Sequence, residues 1–183
     1  MIGIGLVKDS EAVFFQYLGD DSTQALVRAN GAPVTRMGPE QVTGVSIAED
    51  VYREAGFSGS KLNLFLVTQS GKTLMVTSGL TTIWSQCVMT GLMGLADTGR
   101  LNSVICLDSW KGNSKMRPCF GAIKVNNQRR SSDEMYQALT DARADRDNAL
   151  ISTILRDAVQ TLGNAVGTPA VDAVDVKVEE PAF

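Results

Sequence analysis

Apolar and polar residues alternate with period two over Lys61–Thr68. Leu62, Leu64 and Leu66 fall on one face and Lys61, Asn63, Phe65 and Val67 on the other, the pattern of a β-strand with one buried side. Gln69-Ser70-Gly71 predicts a tight turn and Lys72–Thr77 a returning strand. Upstream, 41–54 is rich in Val, Ile and Tyr and predicts a strand bent at Gly44 and ended by Gly56 and Gly59. The period then becomes helical from about Leu80 to Ala96, with Ser78 as cap. Leu80, Trp84, Val88 or Cys87, Gly91 and Leu95 form a buried stripe, and Thr82, Ser85 and Gln86 lie outside it. Gly91 and Gly94 are unfavourable inside a helix, which predicts close packing against a sheet.

Two more strands lie within Gly99–Arg130. In the first, Val104, Cys106 and Trp110 share one face while Ile105, Leu107 and Lys111 share the other; in the second, Met116, Phe120 and Lys124 oppose an inner face of Cys119, Ile123 and Val125. Ser131 and Glu134 have capping-box spacing and open a long helix, about Asp133–Leu162, that Gly163 stops. Its stripe is Met135, Leu139, Ala142, Leu150, Ile154, Ala158 and Leu162, and Arg143 with Asp147 forms an i,i+4 pair. In the N-terminal segment IGIGLV and AVFFQYL read as a hairpin, or the latter as a short buried helix. Four parts result: an accessory segment 1–40, an antiparallel β domain 41–130 with an inserted helix, a C-terminal helix 131–163 and a flexible acidic tail 164–183. The fold class is α+β.

Composition narrows the chemistry. The chain lacks histidine, which removes the commonest general base and the usual zinc ligand outside all-Cys sites. Cys87, Cys106 and Cys119 are odd in number, lack CxxC spacing and sit in apolar runs, so reduced buried thiols are expected. Gly71-Lys72-Thr73 resembles the end of a phosphate-binding loop, but its first glycine position holds Leu66 and a strand follows where a helix is needed. Carboxylate pairs such as Glu49-Asp50 and Asp145 with Asp147 have no partnering base. No catalytic residue, metal or cofactor is expected, and an enzyme is the least favoured class. No apolar run approaches the roughly 18 residues of a membrane span, and the start has no signal-peptide pattern; a cytoplasmic location without membrane contact is expected.

Charge placement changes the picture most. The net charge is −3, yet residues 1–60 carry four basic and eight acidic groups, 100–130 seven and one, and 164–183 one and four. The basic stretch interleaves Trp110 and Phe120 with its cations. Positive charge that follows phosphates, with ring faces on which bases stack, is the physical recipe for single-stranded nucleic-acid binding. Lys61, Lys72, Lys111, Lys115, Arg117, Lys124, Arg129 and Arg130 are therefore expected to neutralise phosphates, and Phe65, Trp110 and Phe120 to stack on bases.

The order strand, strand, strand, helix, strand, strand over about 41–126 is that of the OB-fold, a five-stranded barrel that binds oligonucleotides. The chain end, Val178-Glu179-Glu180-Pro181-Ala182-Phe183, resembles the acidic tip of bacterial single-stranded DNA-binding proteins; here Ala182 separates the proline from the phenylalanine and Lys177 interrupts the acids. The resemblance implies binding of single-stranded DNA with little sequence preference in replication, recombination or repair. It also implies that Glu179, Glu180, Pro181 and Phe183 recruit replication or repair proteins and fold back on an empty groove. A four-stranded sheet followed by a long helix, as in single-stranded DNA-binding transcriptional cofactors of the PC4 and Whirly type, predicts the same ligand. RNA as ligand and homo-oligomerisation through the last helix also fit. The rival reading is a structural or assembly protein that oligomerises through its sheet and long helix.

Overall fold

The computed structural model describes residues 12–16, 26–28, 33–34, 36–49, 59–113 and 118–166. Among these residues, nine strands form one sheet: β1 (Ala12–Gln16), β2 (Leu26–Arg28), β3 (Pro33–Val34), β4 (Arg36–Ala48), β5 (Lys61–Thr68), β6 (Thr73–Gly79), β7 (Val104–Lys111), β8 (Cys119–Val125) and β9 (Gln128–Arg129). Their spatial order is β3-β2-β1-β6-β5-β4-β7-β8-β9. The six strands β4–β9 pair antiparallel, and β1 joins the edge of β6 in parallel. Closing a barrel from the five central strands would join β6 to β8. The free edge of β6 is taken by β1 instead, so the sheet is open. IGIGLV and Asp50–Ser58 lie outside the described residues.

The period-two reading of β5 holds. Leu62, Leu64 and Leu66 are buried against the helices while Lys61, Asn63 and Phe65 are half-buried on the far face. Glycine supplies the positive φ of 79° that the β5–β6 turn needs at Gly71, and Thr68 Oγ1 accepts the Lys72 N–H at 2.9 Å. The predicted bend at Gly44 is a bulge: the pairing of β4 with β5 shifts between Val42 and Gly44.

Among the described residues, the helices cover one face of the sheet. Helix α1 (Ile83–Asp97) lies across β8. Its N-cap is Thr82, whose Oγ1 accepts the Ser85 N–H; Ser78, the expected cap, instead shares a hydrogen bond with the Thr82 hydroxyl at 2.9 Å. Ser85 and Gln86 are buried, not outside the stripe. The two helical glycines allow the expected close approach. A Cβ on Gly91 would lie 2.9 Å from Ile123 Cβ, and one on Gly94 would lie 2.4 Å from the Ser131 carbonyl carbon.

The long C-terminal helix is two helices, α2 (Asp133–Ala144) and α3 (Asn148–Val166). Arg146 takes a left-handed φ of 55°, and the Asp147 and Arg146 N–H groups close back on the Ala142 and Arg143 carbonyls, which is a Schellman ending. Asp147 then caps α3, its Oδ1 accepting the Leu150 N–H at 2.8 Å, and is not the partner of Arg143. The break resets the helical phase, so Ile151, Leu155, Val159 and Leu162 face the core and Leu150 is 44 % exposed. The cap of α2 is Ser132, without a side-chain bond, in place of the Ser131 box. Gly163 lies inside α3 and does not stop it.

One apolar cluster unites the sheet leucines with Trp84, Val88, Leu92, Ile105, Leu107, Ile123, Leu155 and Val159. Arg156 of α3 bonds both Glu49 oxygens and Ser60 Oγ, tying α3 to the chain beyond β4. Among the described residues, no helix is long and apolar enough to cross a membrane.

Candidate nucleic-acid interface

Trp110 and Phe120 are cross-strand partners at one end of the β7–β8 pair, and their rings stack with centroids 5.9 Å apart and planes 20° from parallel. Strand alternation turns them away from Ser109, which is buried and accepts the Trp84 Nε1–H at 2.9 Å. That buried bond holds the register of β7 where the platform begins. Phe120 rests over Gly112, where a Cβ would come within 2.7 Å of its ring. Trp110 is 40 % exposed, so one edge of an apolar stack faces solvent.

The rings border a cavity of about 470 Å³ whose other walls come from helices α1 and α2. On α1, Ile83, Cys87, Gln86 and Thr90 line it, two i,i+4 pairs that helical geometry stacks on adjoining faces. On α2, Tyr136, Leu139 and Arg143 line it at spacings of three and four. Arg129 enters from β9, carried there by a two-residue turn in which Asn126 and Asn127 both have positive φ, the type I′ signature.

Arg143 is held in place. Its NH1 donates to Gln86 Oε1 at 2.8 Å and its NH2 to Thr140 Oγ1 at 2.9 Å, while Gln86 Nε2 donates to the Thr81 carbonyl at 2.8 Å. The Thr90 hydroxyl donates to the Gln86 carbonyl at 2.7 Å, and the Thr90 carbonyl accepts the Ser132 N–H at 2.9 Å, which registers the start of α2 on α1. Among the described residues, no carboxylate lines the cavity, whereas two guanidiniums do. An aromatic, largely apolar and cationic cavity suits a flat anionic ligand.

The other expected site residues disperse. Lys124 lies on the same side of β8 as Phe120, but its Nζ is 2.5 Å from Asp108 Oδ2, so its charge is already matched. Lys111 points to the helix side and is 9 % exposed, a position unsuited to meeting a phosphate directly. Arg130 is half-buried, and its NH2 is 3.4 Å from Gln128 Oε1. Lys72 is exposed in the β5–β6 turn, on the third strand across from β7. Val67, Gln41 and Val104 share one level across the sheet, with Phe65 on one side of that level and Trp110 well to the other. At about 3.3 Å per residue, Phe65 and Trp110 are roughly 25 Å apart along the strands, and Lys61 is farther still. Phe65 therefore belongs to a different part of the face. Lys115, Arg117 and the tail residues Glu179, Glu180, Pro181 and Phe183 lie outside the described residues.

Gln86, Thr90, Tyr136 and Arg143 were not expected in the site. Tyr136, Thr140 and Arg143 recur at helical spacing beside the core residue Leu139, a signal that a pairing of Arg143 with Asp147 obscured. Among the described residues, no three His, Cys, Asp or Glu side chains gather to hold a metal ion. No protein-family model, no curated protein and no solved structure matches this chain.

Proposed function

We propose that the protein binds single-stranded nucleic acid, DNA in the first instance, at the corner of the sheet where β7, β8, α1 and α2 meet. The observation that carries the reading is the stacked Trp110–Phe120 pair beside a cavity that holds Arg129 and Arg143 and, among the described residues, no acid. Rings offer every base a face, and guanidiniums meet phosphates bidentately. The order β4, β5, β6, α1, β7, β8, with β4 shared between β5 and β7, supports an OB-like derivation of the sheet. The tail would serve partner proteins of replication, recombination or repair, and self-association would multiply a small footprint.

The test is fluorescence anisotropy of labelled oligo-dT at low and moderate salt, with the wild type and a Trp110→Ala/Phe120→Ala variant whose melting temperature is checked alongside. Salt-sensitive binding that the variant weakens by about 1–3 kcal/mol per lost stack is expected. An oligomer that ignores oligo-dT at low salt would instead identify an assembly protein.

A further inference from the structure

We propose that the 470 Å³ cavity takes the phosphorylated end of the bound strand, a terminal nucleotide that carries a phosphate monoester, and not a nucleotide from the strand's interior. The inference rests on the single-strand reading above and adds to it the recognition of an end. Three features of the cavity point this way.

The first is charge set against volume. Ligand cavities run from about 300 to 1,000 Å³, and this one stands in the lower part of that range, suited to one nucleotide. Arg129 and Arg143 both line it, and among the described residues no carboxylate does. A nucleotide inside a strand brings one phosphodiester and a single negative charge. A terminal phosphate monoester brings about 1.5 to 2 negative charges at pH 7, on three strong acceptor oxygens. Two guanidiniums over-neutralise the diester and balance the monoester. The match does not depend on contact alone, because a cleft lined by one sign of charge and walled by apolar rings focuses its field on the anion that enters.

The second is the closed wall of helices. Helix α2 is laced to α1 at both ends of the segment that lines the cavity: the Ser132 N–H donates to the Thr90 carbonyl at 2.9 Å, and Arg143 donates to Gln86 Oε1 at 2.8 Å. Leu139, between them, is buried in the core. A strand therefore has no passage between the two helices. It reaches the cavity past the exposed Trp110 and Tyr136, and a chain end meets that geometry without doubling back.

The third is preorganisation. Arg143 has five N–H donors and no acceptor. Its NH1 and NH2 are bonded to Gln86 and Thr140, and Gln86 is itself held by the Thr81 carbonyl, so the half-buried guanidinium is ordered before a ligand arrives. Ordering it in advance lowers the cost of binding, and its remaining donors serve the phosphate oxygens. Arg129, on the exposed β9, supplies the second charge.

The test is anisotropy of oligo-dT of one length, labelled on an internal base so that both ends are unblocked. Four forms are titrated: both ends hydroxyl, a 5′ phosphate, a 3′ phosphate, and the preferred phosphate capped as its methyl ester, which keeps the group and removes its second charge. The wild type is compared with Arg143→Gln and with Arg129→Gln; the latter changes an exposed residue, so the test survives if Arg143→Gln does not fold. One phosphorylated end is expected to bind about tenfold tighter than the hydroxyl and methyl-capped forms, as one charge-assisted hydrogen bond provides, and the ratio should fall toward one in either variant. Whether the 5′ or the 3′ phosphate gives the advantage identifies the end. Equal binding of all four forms by the wild type, still weakened by Trp110→Ala/Phe120→Ala, overturns end recognition and leaves the single-strand reading standing. An advantage that persists undiminished in Arg129→Gln and Arg143→Gln overturns the placement of the phosphate in this cavity. Failure of every form to bind removes both readings.

Discussion

Arg143 of α2 and Gln86 of α1, 57 residues apart in sequence, share a 2.8 Å hydrogen bond that joins two helices and orients one wall of the cavity. Gln86 is only 2 % exposed, so its amide cannot turn to water if the partner is lost. Arg143→Met is expected to leave the buried Gln86 amide oxygen without its donor and to cost about 1–3 kcal/mol of stability, the range for a buried polar partner left unpaired. Urea denaturation measures the loss, and oligonucleotide affinity should fall with it. A variant as stable as the wild type would show that the Gln86 amide oxygen finds another donor.

Gly94→Ala should be more damaging than a typical glycine-to-alanine change in a helix, which is normally favourable by up to about 1 kcal/mol. Here the new methyl would meet the backbone of Ser131, not a yielding side chain. Overpacking of this kind typically costs about 1–3 kcal/mol. Because the segment at Ser131 and Ser132 also registers α2 on α1, the same variant should lose oligonucleotide binding out of proportion to its drop in melting temperature.

The parts of the fold that sequence reveals are those where one period acts alone. β5 shows this: its leucines alternate without interruption and its burial follows them. The inner and outer faces of β7 and β8 were legible for the same reason. The break between α2 and α3 was hidden because a charged stretch suits an exposed helix as well as a helix ending, and the decision falls to Arg146 adopting a left-handed φ without a glycine. Openness of the sheet was hidden too, since β1 reaches β6 across the intervening chain, a pairing that no local pattern encodes. Of the site, Trp110, Phe120 and Arg129 were readable as a basic aromatic stretch. The helix-borne half was not, because Gln86 and Arg143 acquire their role only through contact with each other.

Asp108 is the one acid between Arg100 and Arg130, and it faces Lys124. Asp108→Asn would remove the partner charge and leave the ammonium available to a phosphate. Affinity for single strands is expected to rise at low salt, and the slope of log affinity against log salt should steepen by about 0.7, the contribution of one added phosphate contact. Titrations at three salt concentrations read the slope. An unchanged slope would place Lys124 outside the strand's path.

Two carboxyls on or beyond β4 give stability opposite dependences on pH. Glu49 accepts from Arg156 and from Ser60 Oγ, and these bonds lower its pKa to about 2. Its folded pKa lies below the unfolded value, so the unfolded chain binds more protons between about 2 and 4.5, and stability from this contact is complete above the ordinary carboxyl range and lost as pH falls through about 2. The pair is exposed to solvent, which limits its worth to about 1 kcal/mol or less. Glu40 behaves in reverse. It is 8 % exposed, its Oε2 has no hydrogen-bond partner, and burial raises its pKa. Here the folded chain holds the proton more tightly, so stability falls as pH rises from the ordinary carboxyl value through the raised one. Glu40→Gln removes the buried charge at nearly constant volume, and should raise the melting temperature at pH 7 while changing it little at pH 4. Arg156→Ala should do the opposite of a stabilising change at pH 7 and lose its effect at pH 2. Melting curves of both variants across that range separate the two groups, and a Glu40→Gln protein that melts lower than the wild type at pH 7 would mean that the carboxylate is solvated or paired.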